Sequence, residues 1–131
     1  TPKCYGFDTG FVSFCRGWDP LRPEDMGSLW EHLVLEALQA EYPDATLHYW
    51  RDAAGREIDF AIPRSRDRVD VVECKWNPQD FDPAALKVFR SYYPGGRNYL
   101  VSPVNAPPYA KRMADQEVTV CNPSHLRQSA R

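Results

Sequence analysis

The chain predicts a mixed α/β domain, an antiparallel three-stranded meander with helices packed on its faces. Three observations carry that reading. A long stretch of helical apolar period is followed by three short runs rich in β-branched and aromatic residues, each bounded by turn residues. A second, shorter helical stretch follows Pro78. Two more short apolar runs come after it. With 131 residues, 43% of them hydrophobic, the chain holds enough apolar material for a single domain, residues 1–131, with a real core.

Taken in order, residues 1–24 read as an irregular lead-in, holding a short apolar strand or turn and two proline-marked bends, and 25–121 as the core. In "DMGSLWEHLVLEALQAEYP", Met26, Leu29, Trp30, Leu33, Val34, Ala37 and Leu38 recur at i, i+3, i+4 and i+7, the stripe of an amphipathic helix. Asp25 is its expected N-cap, and Pro43 ends it. Thr46 to Arg51 reads as a strand, "DAAG" as a turn closed by Gly55, and Glu57 to Ile62 as a second strand. "PRSRDR" turns the chain into a third strand, Val69 to Trp76. In "DPAALKVFRSYYPGG", Ala84, Leu86, Val88 and Phe89 form a helix capped by Asp82, with Pro83 in its first turn and Gly95 beyond its end. "RNYLVSP" and "EVTVCNP" are two further strands, separated by the proline-rich loop "VNAPPYA".

The bulk properties narrow the function. A net charge of −2 and a pI near 5.9 argue against strong nucleic-acid binding through overall charge. Twelve of the sixteen basic residues are Arg, which leaves room for local phosphate contacts, although a GC-rich genome produces the same bias. Cys4, Cys15, Cys74 and Cys121 form no C-x-x-C pair, and His32, His48 and His125 lack zinc-site spacing. Reduced, buried thiols in a cytoplasmic protein are expected. No apolar run is long enough to span a bilayer and no signal-peptide pattern opens the chain, so no membrane partner is expected. The first residue, Thr1, suggests a piece of a larger protein.

The chemistry concentrates in "VDVVECKWNP", Val69 to Pro78. Residues i and i+2 of a strand share a face, so Glu73 and Lys75 leave one side while Val72, Cys74 and Trp76 leave the other. On the preceding strand Asp59 is expected opposite Ile58, Phe60 and Ile62, beside Glu73 and Lys75 if the register allows. That arrangement is either a solvated ion pair on a sheet or one wall of a site that handles metal and phosphate. Two adjacent ionised carboxylates repel and want a divalent cation between them. Mg²⁺ accepts a few carboxylate oxygens plus waters and phosphate oxygens, and a neighbouring ammonium can orient a water or neutralise developing charge. Glu31 lies at the margin of the first helix's apolar stripe, where it can point to the sheet.

Glu31 on a helix, Asp59 on a strand and Glu73-Cys74-Lys75 on the next resemble the restriction-endonuclease-like, or PD-(D/E)-x-K, nuclease superfamily. More narrowly, "YGFDTG", "GSLWEHLVLEAL", "YWRDAAGREIDFAI" and "VVECK" look like the uncharacterised C-terminal domain of prokaryotic AAA+ ATPases, from about Lys3 to Pro103. The resemblance implies a core of helix, three strands, helix and strand. It implies Mg²⁺-dependent (or Mn²⁺-dependent) hydrolysis of a DNA phosphodiester, with Asp59 and Glu73 holding the metal, Lys75 positioning the attacking water and Glu31 as an auxiliary ligand. The partner would be an upstream AAA+ ATPase, the source of any ATP dependence, because this chain has no G-x-x-x-x-G-K-[ST]. Oligomers are then possible. Ile58 stands where the superfamily pattern has Pro.

Other residues carry weaker signals. Glu57 extends the acidic face or lines a hairpin edge. Arg51 meets a DNA phosphate or pairs with Asp52 or Glu57. Trp30, Trp50 and Trp76 are core or rim aromatics before they are base-stacking platforms. His48 is expected to be structural, and Asp8 to serve the fold or domain docking. The rival to a nuclease is the same fold without cleavage, binding DNA or regulating the ATPase. A third reading is a metal-dependent enzyme for a small phosphorylated substrate.

Overall fold

The apolar period that begins at Met26 folds as a helix, α2, Met26–Glu41, preceded by a shorter one, α1, Thr9–Cys15. The structure, a computed structural model, describes residues 3–6 and 8–130. The remaining elements are β1 (His48–Arg51), β2 (Glu57–Ser65), β3 (Arg68–Cys74), α3 (Ala84–Tyr92), β4 (Asn98–Val101), β5 (Tyr109–Met113) and β6 (Gln116–Cys121). The six strands form one mixed sheet in the order β1-β2-β3-β4-β6-β5. β1, β2 and β3 are the antiparallel meander; β3, β4 and β6 run parallel; β5 returns antiparallel on β6.

Helices cover both faces of this sheet. On one side Trp30, Val34 and Leu38 of α2 pack on Phe60, Ile62, Val72, Tyr99 and Val101. On the other, Leu86 and Phe89 of α3 pack on Ile58, Val71, Leu100, Val118 and Val120. Val34 and Leu38 are fully buried, and burial of such side chains is worth about 1.5–3 kcal/mol each. Strands covered on both faces read as unbroken apolar runs, which is why "VVEC" and "NYLV" are buried at every position.

Parts of the chain depart from expectation, among them the third strand, which ends at Cys74 short of Lys75 and Trp76. The lead-in contains α1, whose N-cap is Asp8: its carboxylate accepts the Phe11 N–H at 2.7 Å. Asp8 therefore serves the fold. The stretch after the proline-rich loop is a strand: β5 is nearly all exposed, and it is held by a tight turn in which Ala114 and Asp115 both have positive φ, 46° and 63°. A charged, solvent-facing edge strand has no apolar alternation to betray it. At the start of α2, Asp25 makes no side-chain cap; its carboxylate turns back to the Arg22 N–H and guanidinium. At α3 the Asp82 carboxylate does accept the Ala84 N–H, at 3.0 Å.

The loop between α3 and β4 is fastened by a buried Arg90. Its guanidinium donates to Asn98 Oδ1 and to the carbonyls of Val69, Tyr93, Gly95 and Arg97. Gly96, at φ +126°, passes so close to Val69 that an added Cβ would lie 2.0 Å from its carbonyl oxygen. Only glycine fits there.

Candidate functional site: an acidic cluster with an internal cation

The residues the motif singles out meet where β2 and β3 part company. The paired register between them ends at Phe60↔Val72, and beyond it the Cys74 N–H is taken by the Asp59 carboxylate at 2.8 Å. A side chain thus replaces a ladder carbonyl, which places the Asp59 carboxylate close to the plane of the sheet. A bulge makes this possible. His48 pairs with Ala61 and Trp50 with Ile58, so two steps on β1 cover three on β2. Ile58 consequently packs on the α3 side and Phe60 on the α2 side. Strict alternation had put Ile58, Phe60 and Ile62 on one face opposite Asp59; the bulge corrects that, and Asp59 lines the same cleft as Phe60.

Glu73 lies beside Asp59, close enough for each carboxyl to act on the other's hold on its proton. Both hold their protons more tightly than usual. Burial is the main cause for each, and the neighbouring charge, Glu31 for Asp59 and Asp59 for Glu73, adds to it. Glu73 is only 6% exposed. Lys75, two residues along, pulls Glu73 partly back towards ionisation. Its backbone is fixed on both sides, the N–H on Val101 O and the carbonyl accepting from Ser102 Oγ.

Lys3 completes the cluster, and nothing in the sequence pointed to it. Its ammonium lies 2.8 Å from Glu31 Oε1, 3.7 Å from Asp59 Oδ1 and 3.9 Å from Glu57 Oε2. Burial opposes its charge, but the Glu31 hydrogen bond and the three carboxylates outweigh that, and its pKa rises. The Tyr5 hydroxyl donates to the same Glu31 oxygen, and the phenol is pushed up by burial and by that contact. The segment is anchored through His32, buried on α2: Gly6 N–H donates to its Nε2 at 3.4 Å, its Nδ1–H donates to Ser28 O at 2.7 Å, and the Tyr5 ring stands edge-on to it. A Cβ on Gly6 would meet Val12 at 2.4 Å, so the close approach demands glycine.

The family model of a domain of unknown function, DUF4143, matches residues 26–120, from the start of α2 almost to the end of β6. The chain belongs to that family. The match takes in Glu31, Asp59, Glu73 and Lys75, while Lys3 and Tyr5 lie before it. No curated protein matches the chain. Among solved structures, the DUF4143 domain is similar to a chain of a half-complex from a tetradecameric assembly of Thermococcus gammatolerans McrB AAA+ hexamers with bound McrC. The TM-score is 0.58 at 12% identity, over 80% of this chain and 32% of that one. At that identity the likeness is one of fold, and the chain spans about a third of the neighbour's length.

The other candidates fall as follows. Arg51 Nε is 3.6 Å from Glu57, and Asp52 pairs with Arg56 instead. Trp30 is buried and donates to Val101 O, Trp50 packs edge-on to Phe89, and Trp76, 45% exposed, stands edge-on to Trp30. His48 is exposed. Cys74 and Cys121 are buried thiols, whereas Cys4 and Cys15 are exposed, against the expectation that all four would be buried. Among the described residues no three His, Cys, Asp or Glu side chains close into a metal cage. A cleft of about 310 Å³ opens beside the cluster, walled by Lys3, Tyr5, Gln39, Tyr49 and Asp59. A larger one, about 470 Å³, lies on β4 and β6 around Arg97, Asn98 and Glu117 and holds none of the motif residues. Among the described residues no helix is long and apolar enough to cross a membrane.

Proposed function

We propose that this DUF4143 domain is a PD-(D/E)-x-K-type phosphodiesterase that cleaves DNA with Mg²⁺ or Mn²⁺, working beside an AAA+ ATPase. The observation that carries it is the side-by-side carboxyl pair Asp59–Glu73 on neighbouring strands, with Lys75 just beyond the end of β3. A scaffold gains nothing from two buried acids placed side by side; a hard divalent cation, content with one or two carboxylates plus waters, suits that donor set.

In this reading Asp59 and Glu73 hold the metal, which when bound polarises a phosphoryl oxygen and acidifies a water. Asp59 is kept in place by the Cys74 N–H, so one of its oxygens stays fixed while the other faces the cleft. Lys75, on a backbone locked to Val101 and Ser102, orients the attacking water or offsets charge at phosphorus. Glu31 supports the site from α2, and Arg51 offers a phosphate contact at the rim. ATP enters through the ATPase, in keeping with the AAA+ assembly in which the structural neighbour sits.

The net charge of −2 favours a second reading, a nuclease fold that regulates the ATPase or binds DNA without cutting it. Calorimetric Mn²⁺ titration separates the two: the native chain binds, and Asp59→Ala and Glu73→Ala do not. Equal binding by all three removes the metal site. Plasmid nicking that survives Lys75→Ala identifies a contaminant rather than this domain.

A further inference from the structure

The carboxyl pair already has a cation beside it, supplied by the chain. Lys3 touches acids on two elements: Glu31 on α2, and Glu57 and Asp59 on β2. Its side chain is 24% exposed and that of Asp59 14%, so water screens their interaction weakly. The backbone that delivers it is braced at Gly6 and Tyr5 against His32 and Phe60. The Lys3 and Tyr5 head groups both meet one oxygen of Glu31, and Lys3 also reaches Asp59, Glu57 and the face of the Tyr49 ring.

We propose that Lys3 is a tethered counter-cation of the acidic cluster that competes with a divalent metal ion for Asp59, so that metal loading requires its ammonium to withdraw. This rests on the metal-binding reading above. Asp59 Oδ2 accepts the Cys74 N–H, and Oδ1 is the oxygen facing Lys3. An ammonium 3.7 Å from that oxygen and a divalent ion bound to it would repel at close range in a poorly screened site. Lys3 therefore neutralises the acids in the metal-free protein and opposes loading, and any contact that lifts residues 3–5 from α2 switches the site towards metal.

Two measurements test this. Mn²⁺ is titrated calorimetrically into the native chain, Lys3→Met and Asp59→Asn. Lys3→Met should bind about tenfold more tightly than native, the factor expected from removing one partly buried competing charge, and Asp59→Asn should lose binding. Independently, acylation of the Lys3 amine in the unmutated chain, followed by mass spectrometry, should speed up when Mn²⁺ is added. Equal or weaker binding by Lys3→Met, or Lys3 reactivity indifferent to Mn²⁺ in a chain that binds it, overturns the competition and leaves the metal site standing. Failure of every form to bind Mn²⁺ overturns both.

Discussion

Replacing Glu73 by Gln tests how the cluster bears on stability. The side chain is 6% exposed, lies beside Asp59, and has Lys75 and Lys3 as the cations that partly offset its charge. Two unit charges about 4 Å apart repel by about 4 kcal/mol at an effective dielectric of about 20. The two lysines and the Cys74 N–H cancel part of this, so glutamine, with the same shape and an N–H for Asp59, should stabilise the metal-free chain at pH 7 by about 1–2 kcal/mol. In a domain of this size that raises Tm by about 4–8 °C. The pH dependence follows from the direction of the shifts. Asp59 and Glu73 bind protons more tightly folded than unfolded, so from the unfolded values, about 4, up to the raised folded ones the native state carries more protons. Stability contributed by the pair is therefore present at low pH and lost as pH rises through that window. Native and Glu73→Gln should converge near pH 4 and diverge towards neutrality. Urea unfolding across that range in a chelating buffer measures it. A variant less stable than native at pH 7, or a difference that ignores pH, would refute the reasoning.

Three further outcomes are expected. Arg90→Leu removes the guanidinium from Asn98 Oδ1 and from four carbonyls, of which Gly95 and Arg97 keep the Val69 and Val71 N–H groups, and should cost about 3–5 kcal/mol in urea unfolding. Gly96→Ala forces a Cβ into the Val69 carbonyl and should cost about 3 kcal/mol or more, read as a fall in Tm. In thiol titration with an aromatic disulfide, Cys4 and Cys15 should react at once. Cys74, its pKa raised by burial and by Asp59, Glu31 and Glu73, and Cys121, pushed up to about 11 by burial, should react only on unfolding.

The order of helix, meander, helix and strand was legible because each element carried a period or a turn marker: the stripe on α2, "DAAG" after β1, Pro83 and Gly95 around α3. The elements that escaped had none. α1 is a single short helix with only Val12 buried, and β5 is a polar edge strand. At the site, the i, i+2 rule put Val72 and Cys74 on one face, as they are in the α2-side core, but it failed on β2, where an inserted residue breaks the alternation. A bulge is a property of two strands paired, so one strand's residues do not announce it. Lys3 and Tyr5 escaped for a related reason: their role comes from a contact across 26 or more residues.

The edge-on pair Trp30–Trp76 joins the residue before Glu31 to the residue after Lys75. Indoles that close couple electronically, and their near-ultraviolet dichroism depends on mutual angle. The molecule thus carries an optical gauge running from the helix to the segment just past β3, on either flank of the acids, and small rearrangements on loading become visible without any label.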